Sequence, residues 1–437
     1  MRKGEDREMS EGKKETILVT GTSGRIGYAI AKRLAEEQQS FSVIGFDRKA
    51  PSHPPPSAEC LYVDLTNEES TRRGLQAIRD LNGDHIASVI HLAAYYDFSG
   101  APSPLYDKVT VGGTKRLLRL LQNFEVEQFI FSSTTLVQAP SRHGARINED
   151  SPLDIPPKWA YPKSKIETEK VIYAEHGNIP IVILRIAGVY DDLCHSIPFA
   201  MQIQRIYERD IAAYFSPGDP SAGRQPYVHN DDVVDAILLA FAHRKELPPQ
   251  TTLLIGEDES ISYDELQRAF GRLIHDVEWK TWAIPPRMAK TGVRLLKILP
   301  LGRSRSIATW MIDVAQYNME LDITRARKIL GWKPRHSLIE TLPKMVSGLR
   351  ADPFTWYREN DLELPLWLRE LIPPVPEEDK AKLTTEDPHE LMRLAQEVRD
   401  EIAASARTSP PPSSTPPKQE KHHNEMMDMR MGDSEAD

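Results

Sequence analysis

Residues Ile17 to Gly27, ILVTGTSGRIG, restrict this chain more than any other stretch. The apolar run Thr16 to Val19 has the composition of a short buried strand. It breaks into a turn carrying Gly21, Gly24 and Gly27. A helical pattern follows, with Ile26, Ala29, Ile30, Ala31 and Leu34 recurring at helical spacing. A strand that ends in glycines and restarts as a helix leaves free backbone N–H groups at a helix N-terminus, where partial positive charge suits a pyrophosphate. Gly21 permits the tight turn, Gly24 lets backbone approach the phosphates, and Gly27 lets the helix pack close to the strand. Asp47 lies twenty positions beyond Gly27, just after a second apolar run, Phe41 to Phe46. An acid at that place hydrogen-bonds the ribose 2′-hydroxyl of an adenine dinucleotide. It also repels a 2′-phosphate, so NAD is expected over NADP. Arg48 offsets part of that repulsion and keeps NADP open.

The rest of the chain fits an α/β protein. Strand candidates Ile17–Val19, Ser42–Phe46, Cys60–Val63, Ser88–Leu92, Gln128–Ser132 and Ile181–Arg185 alternate with helical stretches. That alternation predicts a doubly wound parallel sheet with helices on both faces. Pro51 to Pro56 reads as a surface loop. With 437 residues there is room for one large or two medium domains. The expected divisions are a mobile arm over 1–15, a dinucleotide-binding domain over 16–190, and a smaller α/β substrate-binding part over 191–350 with segments returning to the sheet. A helical extension over 351–405 and a Pro/Ser-rich disordered tail over 406–437 follow. His422, His423 and the nearby methionines lack metal-ligand spacing, so no metal is expected. A formal charge of −9 argues against a general nucleic-acid binder. Two cysteines, Cys60 and Cys194, suggest no disulfide framework and point to the cytoplasm. The polar N-terminal stretch has no signal-peptide core, and no apolar run is long enough to span a bilayer.

Chemistry gathers later in the chain. Phe129 to Thr135 is a strand ending in hydroxyls, and Tyr161-Pro162-Lys163-Ser164-Lys165 opens a helix. Tyr161 and Lys165 are four apart and share a helical face. An ammonium beside a phenol stabilises the phenolate and brings its pKa toward neutrality. Such a tyrosine can exchange the proton of a secondary alcohol while a nicotinamide exchanges the hydride. Thr134 is placed to hold the substrate oxygen. His91 reads as a satisfied, partly buried histidine rather than a catalytic or metal-binding one.

With these residues in view, the chain resembles the extended short-chain dehydrogenase/reductase family, the NAD-dependent epimerase/dehydratase group. The matching pieces are Thr20 to Gly27, Asp64-Leu65, His91 to Ala94, Ser132 to Thr134, Tyr161 to Lys165, Leu184-Arg185, Gly188 to Tyr190, Tyr227 to Asp232 and Leu330 to Pro334, in the family's order. The resemblance implies a Rossmann-type fold and catalytic roles for Thr134, Tyr161 and Lys165. It implies cofactor contacts at Gly21, Ser23, Gly24, Arg25, Ile26 and Gly27, at Asp47, at Asp64 and Leu65, and at Leu92, Ala93 and Ala94, with Tyr161 and Lys165 again. A homodimer through a helix bundle containing the Tyr161 helix is the expected assembly. Thr135-Leu136 stands where sugar dehydratases of the family carry an Asp-Glu pair, which leaves epimerisation or simple oxidoreduction. Thr110 takes the place of the family's helix asparagine, and Gln138 departs from its Val-Tyr-Gly, so a non-catalytic dinucleotide-binding scaffold or sensor stays open.

Substrate class is undecided at this level. Arg224, before Tyr227-Val228-His229, stands near the resemblance's substrate-phosphate arginine and suits a diphosphate, or else is a surface ion-pair partner. A nucleotide sugar is the first expectation. Against it, the basic amphipathic segment over 284–301 resembles the insertion of the 3β-hydroxysteroid dehydrogenase-like branch, which covers an apolar pocket or touches membrane; simple packing on the core is the plainer alternative. Tyr95 to Phe98 either lines an apolar pocket or packs internally, and Tyr95 is the candidate substrate contact there.

Overall fold

The structure, a computed structural model, describes residues 14–369 apart from 38–39, 50–54, 56–57, 142–144, 155–158, 221–222 and 299–306. Most of the expected N-terminal arm and of the proline loop, the helical extension from residue 370 onward, and the whole tail fall outside the described residues.

Seven parallel strands form the main sheet. Their spatial order is Gln250–Ile255, Ile181–Ile186, Phe129–Thr134, Ser88–His91, Glu15–Thr20, Phe41–Asp47 and Ala58–Tyr62. The chain therefore moves outward from the first strand in one direction, then crosses to its other side at Ser88. This reversal opens a crevice at the C-terminal ends of the two central strands, where doubly wound sheets bind ligands. The inner strands are largely apolar because both faces are covered, whereas the edge strand Ala58–Tyr62 is partly exposed. Successive residues point to opposite sides: Ile17, Val19, Val43, Ile90, Ile130 and Val182 enter one core, and Leu18, Ile44, Val89, Phe129, Phe131 and Ile181 the other.

Six of the strands lie where the sequence places them, with bounds moved by a residue or two. The seventh, Gln250–Ile255, was not expected. Its two threonines disguise a run that becomes buried only by pairing with Ile181–Ile186. A smaller sheet joins Gly188–Tyr190, Arg224–His229 and Ser260–Ser262. Thr324–Leu330 forms a helix closed by Gly331 at φ +64°. Trp332 is buried and donates its indole N–H to the Asp232 carbonyl at 3.0 Å. The Asp232 carboxylate accepts from the Arg335 and His336 backbone N–H groups. Asp232 is thus a structural residue that ties the closing segment to the helix Asn230–Ala242. Among the described residues no helix is long and apolar enough to cross a membrane.

Candidate active site

The glycine turn is built for an anion. Gly21 adopts φ +79°, and its N–H reaches the Phe46 carbonyl at 2.8 Å. A Cβ on Gly27 would stand 2.2 Å from the Gly21 carbonyl oxygen, so only glycine lets the helix Arg25–Glu36 start this close to the strand. That helix has no side-chain N-cap and no acidic residue in its first turn. Its leading N–H groups and dipole remain directed at the crevice, which fits the pyrophosphate of a dinucleotide. Asp47 ends the neighbouring strand and accepts from the Ser23 N–H at 3.0 Å, so its carboxylate is fixed beside the turn.

Across the crevice, Thr20 organises the opposite lip. Its hydroxyl accepts from the N–H groups of Leu92 and Ala93 at 3.2 and 3.1 Å and contacts His91 Nδ1 at 2.8 Å. His91 Nε2 meets the Thr114 hydroxyl at 2.8 Å, and that hydroxyl donates to the Thr110 carbonyl. The proton order follows. Thr114 must accept from His91, so Nε2 carries the hydrogen and Nδ1 accepts from Thr20. His91 is fully buried, and burial, reinforced by Lys165, pushes its pKa down to about 3. It is a neutral strut, more buried than the sequence suggested. Asp64 is held in a turn by the Thr66 N–H at 2.9 Å, and Leu65 is buried beside Gly113. Arg25 is directed to the His195 carbonyl at 2.5 Å.

Thr134, Tyr161 and Lys165 come together. Thr134 ends its strand, and its hydroxyl is within hydrogen-bonding reach of the Tyr161 phenol. The helix Ala160–Glu175 is fastened to the sheet by a buried ion pair, Arg185 to Glu169 at 2.8 Å, with Ser133 donating to the same carboxylate. The Lys165 ammonium donates to the Ser132 carbonyl at 2.6 Å and lies 5.9 Å from the Tyr161 ring centre. One expectation fails here. Burial raises the Tyr161 pKa instead of lowering it, with the Thr134 hydrogen bond opposing. The reason is that the lysine is engaged with Ser132 and the phenol is desolvated. Thr110 is buried and accepts from the Tyr95 N–H at 2.9 Å.

Burial also pulls Lys165 down to about 7, against Glu169, which raises it. The unfolded lysine titrates near 10.4. Between those values the unfolded chain holds a proton that the folded chain lacks, so stability rises with pH across that window and the cost is complete below 7. From pH 7 to pH 9, wild type should gain about 2–3 kcal/mol relative to Lys165→Met in urea unfolding. Parallel pH profiles would contradict this.

Above the phenol lies a cavity of about 890 Å³. Tyr96 meets Tyr161 edge-on at 4.8 Å, and Trp159 stacks on Trp310 at 4.0 Å. Phe98, Phe199, Met201, Phe215 and Ile284 continue the wall. The helix Pro286–Ile298 contributes Met288, Ala289, Gly292 and Val293, so the segment that could have packed plainly on the core instead borders the cavity. Two candidate substrate contacts are corrected. Tyr95 is turned edge-on to Tyr106 at 4.8 Å, and its neighbour Tyr96 faces the cavity, because adjacent residues in extended chain point oppositely. Arg224 pairs with Glu265 and Glu320 and reaches Ser260, while Gln225, Pro226 and Tyr227 line the cavity. Trp159, Trp310 and Arg205 were not singled out by sequence. Only Arg205 carried a trace: it falls on the helical face of Pro198, Met201 and Gln202.

Residues 17–256 match the profile of the NAD dependent epimerase/dehydratase family. A UDP-glucose 4-epimerase of Streptomyces lividans is 24% identical over 343 residues, 72% of this chain and 91% of that protein. A 3 beta-hydroxysteroid dehydrogenase/Delta 5-->4-isomerase of Mycobacterium tuberculosis is 24% identical over 359 residues, 76% of this chain and 90% of that one. Among solved structures, UDP-glucose 4-epimerase of Thermotoga maritima with UDP-glucose superposes with a TM-score of 0.57 at 24% identity, covering 77% of this chain and 99% of the other. UDP-glucuronic acid 4-epimerase of Bacillus cereus, solved with NAD, gives 0.58 at 19% identity over the same shares.

Proposed function

We propose, from the premise that this chain belongs to the NAD dependent epimerase/dehydratase family, that it oxidises a lipophilic secondary alcohol of hydroxysteroid type. The enzyme is NAD-dependent. The observation that carries the substrate class is the cavity over Tyr161, walled by Tyr96, Phe98, Trp159, Met288, Val293 and Trp310. Burying a rigid apolar alcohol there recovers about 25 cal/mol for each Å² removed from water. A sugar diphosphate would lose hydration against the same wall.

The glycine turn and the free N–H groups after it hold the pyrophosphate, Asp47 takes the adenosine ribose, and Leu92 to Ala94 form the opposite lip. NAD, when bound, supplies the hydride acceptor. Tyr161 removes the carbinol proton, and Thr134 holds the carbinol oxygen from the second side. Lys165 is the positive charge available to favour the phenolate, once its Ser132 bond is exchanged for one nearer the phenol. Burial favours the protonated Tyr161 phenol, with the Thr134 hydrogen bond opposing.

A second reading, epimerisation of a nucleotide sugar, draws support from the epimerases among the relatives. The arginine expected to meet its diphosphate, Arg224, is instead engaged in ion pairs with Glu265 and Glu320. One assay separates the two. Purified protein with NAD is offered a 3β-hydroxysteroid or UDP-galactose. NADH absorbance should grow with the steroid, and no UDP-glucose should form from the sugar. Interconversion of the sugars without steroid oxidation would reverse the assignment.

A further inference from the structure

Among the described residues, three side chains lining the cavity can carry positive charge, Lys165, His195 and Arg205, and none of the lining residues is a carboxylate. Lys165 is engaged with Ser132, and His195 Nδ1 with Asp191 at 2.7 Å. Arg205 differs. Its Nε and Nη1 are buried and have no hydrogen-bond partner among the described residues. A guanidinium does not shed its charge, and donors left unpaired in a buried place are costly. Neighbouring polar groups do not relieve it. Gln202 donates to the Tyr263 carbonyl, and Gln225 to the Val314 and Tyr317 carbonyls.

Its place in the fold gives the charge a meaning. The helix Ile197–Tyr207 begins beside the glycine turn, where Arg25 reaches the His195 carbonyl. Pro198, Met201, Gln202 and Arg205 follow one another along the face that borders the cavity. Arg205 lies eight residues beyond Ile197, about 12 Å farther along the axis. It stands with Ile211, Ala212 and Phe215 on the cavity lining, away from the turn that starts the helix.

We propose that Arg205 receives an oxyanion, a carboxylate or sulfate, carried at the end of the apolar substrate remote from the reacting carbinol. The proposal rests on reading this cavity as the site of a lipophilic alcohol. A planar fork of donors matches a carboxylate with two parallel hydrogen bonds, and the apolar walls strengthen both. Arg205 is then a specificity-determining residue that sets which end of the substrate enters first.

Binding alone tests it. N-phenyl-1-naphthylamine, an uncharged dye that brightens in apolar sites, is bound to the protein and displaced by decanoate or by 1-decanol. Decanoate should displace the dye from wild type at a concentration at least tenfold lower than decanol. In Arg205→Met that preference should vanish, with dye affinity changed by less than twofold. Arg205→Lys should keep part of the preference. Equal displacement by the two competitors in wild type, or a carboxylate preference that survives in Arg205→Met, would overturn the proposal. Equal displacement in wild type overturns the proposal without any variant, and Arg205→Lys serves as the folding control for Arg205→Met. No turnover is measured, so failure of steroid oxidation leaves this result standing. Absence of dye binding to wild type would remove the apolar cavity and this proposal together.

Discussion

Tyr161→Phe should lower turnover of a secondary alcohol by a factor of about 10² to 10⁴, the usual contribution of a positioned acid or base. The affinity for NAD should stay within about twofold, measured by titrating protein fluorescence. The split follows from geometry. The phenol oxygen is the group that faces both Thr134 and the cavity, whereas the ring is held by Tyr96 at 4.8 Å and Trp159 at 6.1 Å. Phenylalanine keeps those ring contacts and removes only the oxygen. A variant with near-normal turnover would transfer the proton chemistry to another residue. A variant that lost NAD binding to the same extent would make Tyr161 a binding residue instead.

Gly27→Val should have the other large effect, on the opposite end of the same crevice. Even the first carbon of a side chain there would overlap the Gly21 carbonyl oxygen at 2.2 Å and its carbonyl carbon at 2.8 Å. Backbone cannot rotate away as a side chain can. The helix Arg25–Glu36 must move off the strand, and its N–H groups leave the place where a pyrophosphate would meet them. Stability should fall by about 1–3 kcal/mol, the range for overpacking, and NAD affinity by at least tenfold. Calorimetric unfolding and NAD titration read the two effects separately. Wild-type NAD affinity in this variant would remove the turn from the cofactor site. Gly292, with nothing among the described residues within 4 Å of its added Cβ, is a control position: alanine there should leave both quantities nearly unchanged.

Local patterns were readable where one stretch of chain carries the whole constraint. The glycine turn needs a strand, a helix and three glycines in one short run, and all are contiguous. Tyr161 and Lys165 share a face because four residues make about one helical turn. Features that join distant segments were not readable. The Arg185–Glu169 pair behind the Tyr161 helix couples two elements, and the hydrogen-bond chain Thr20–His91–Thr114 couples three. Neither leaves a periodic trace. The direction of the Tyr161 pKa is hidden from the sequence for a related reason: spacing shows that a lysine is near, but not that the phenol is buried and the ammonium engaged with the Ser132 carbonyl. Tyr95 and Tyr96 differ only in which way extended chain turns each ring. Arg224 looked available because its partners, Glu265 and Glu320, lie far along the chain. The character of the cavity was legible only as two alternatives, since an apolar stripe over 284–301 serves a core as well as a substrate.

A crystal structure with NADH and a 3β-hydroxysteroid bound tests most directly whether the glycine turn and the Tyr161 phenol serve one reaction. The carbinol oxygen should lie about 3 Å from both the Tyr161 and Thr134 oxygens, with the pyrophosphate on the N–H groups after Gly24 and the steroid body against Met288, Val293 and Trp310. A dinucleotide bound away from the turn, or a steroid whose hydroxyl points out of the cavity, would contradict it.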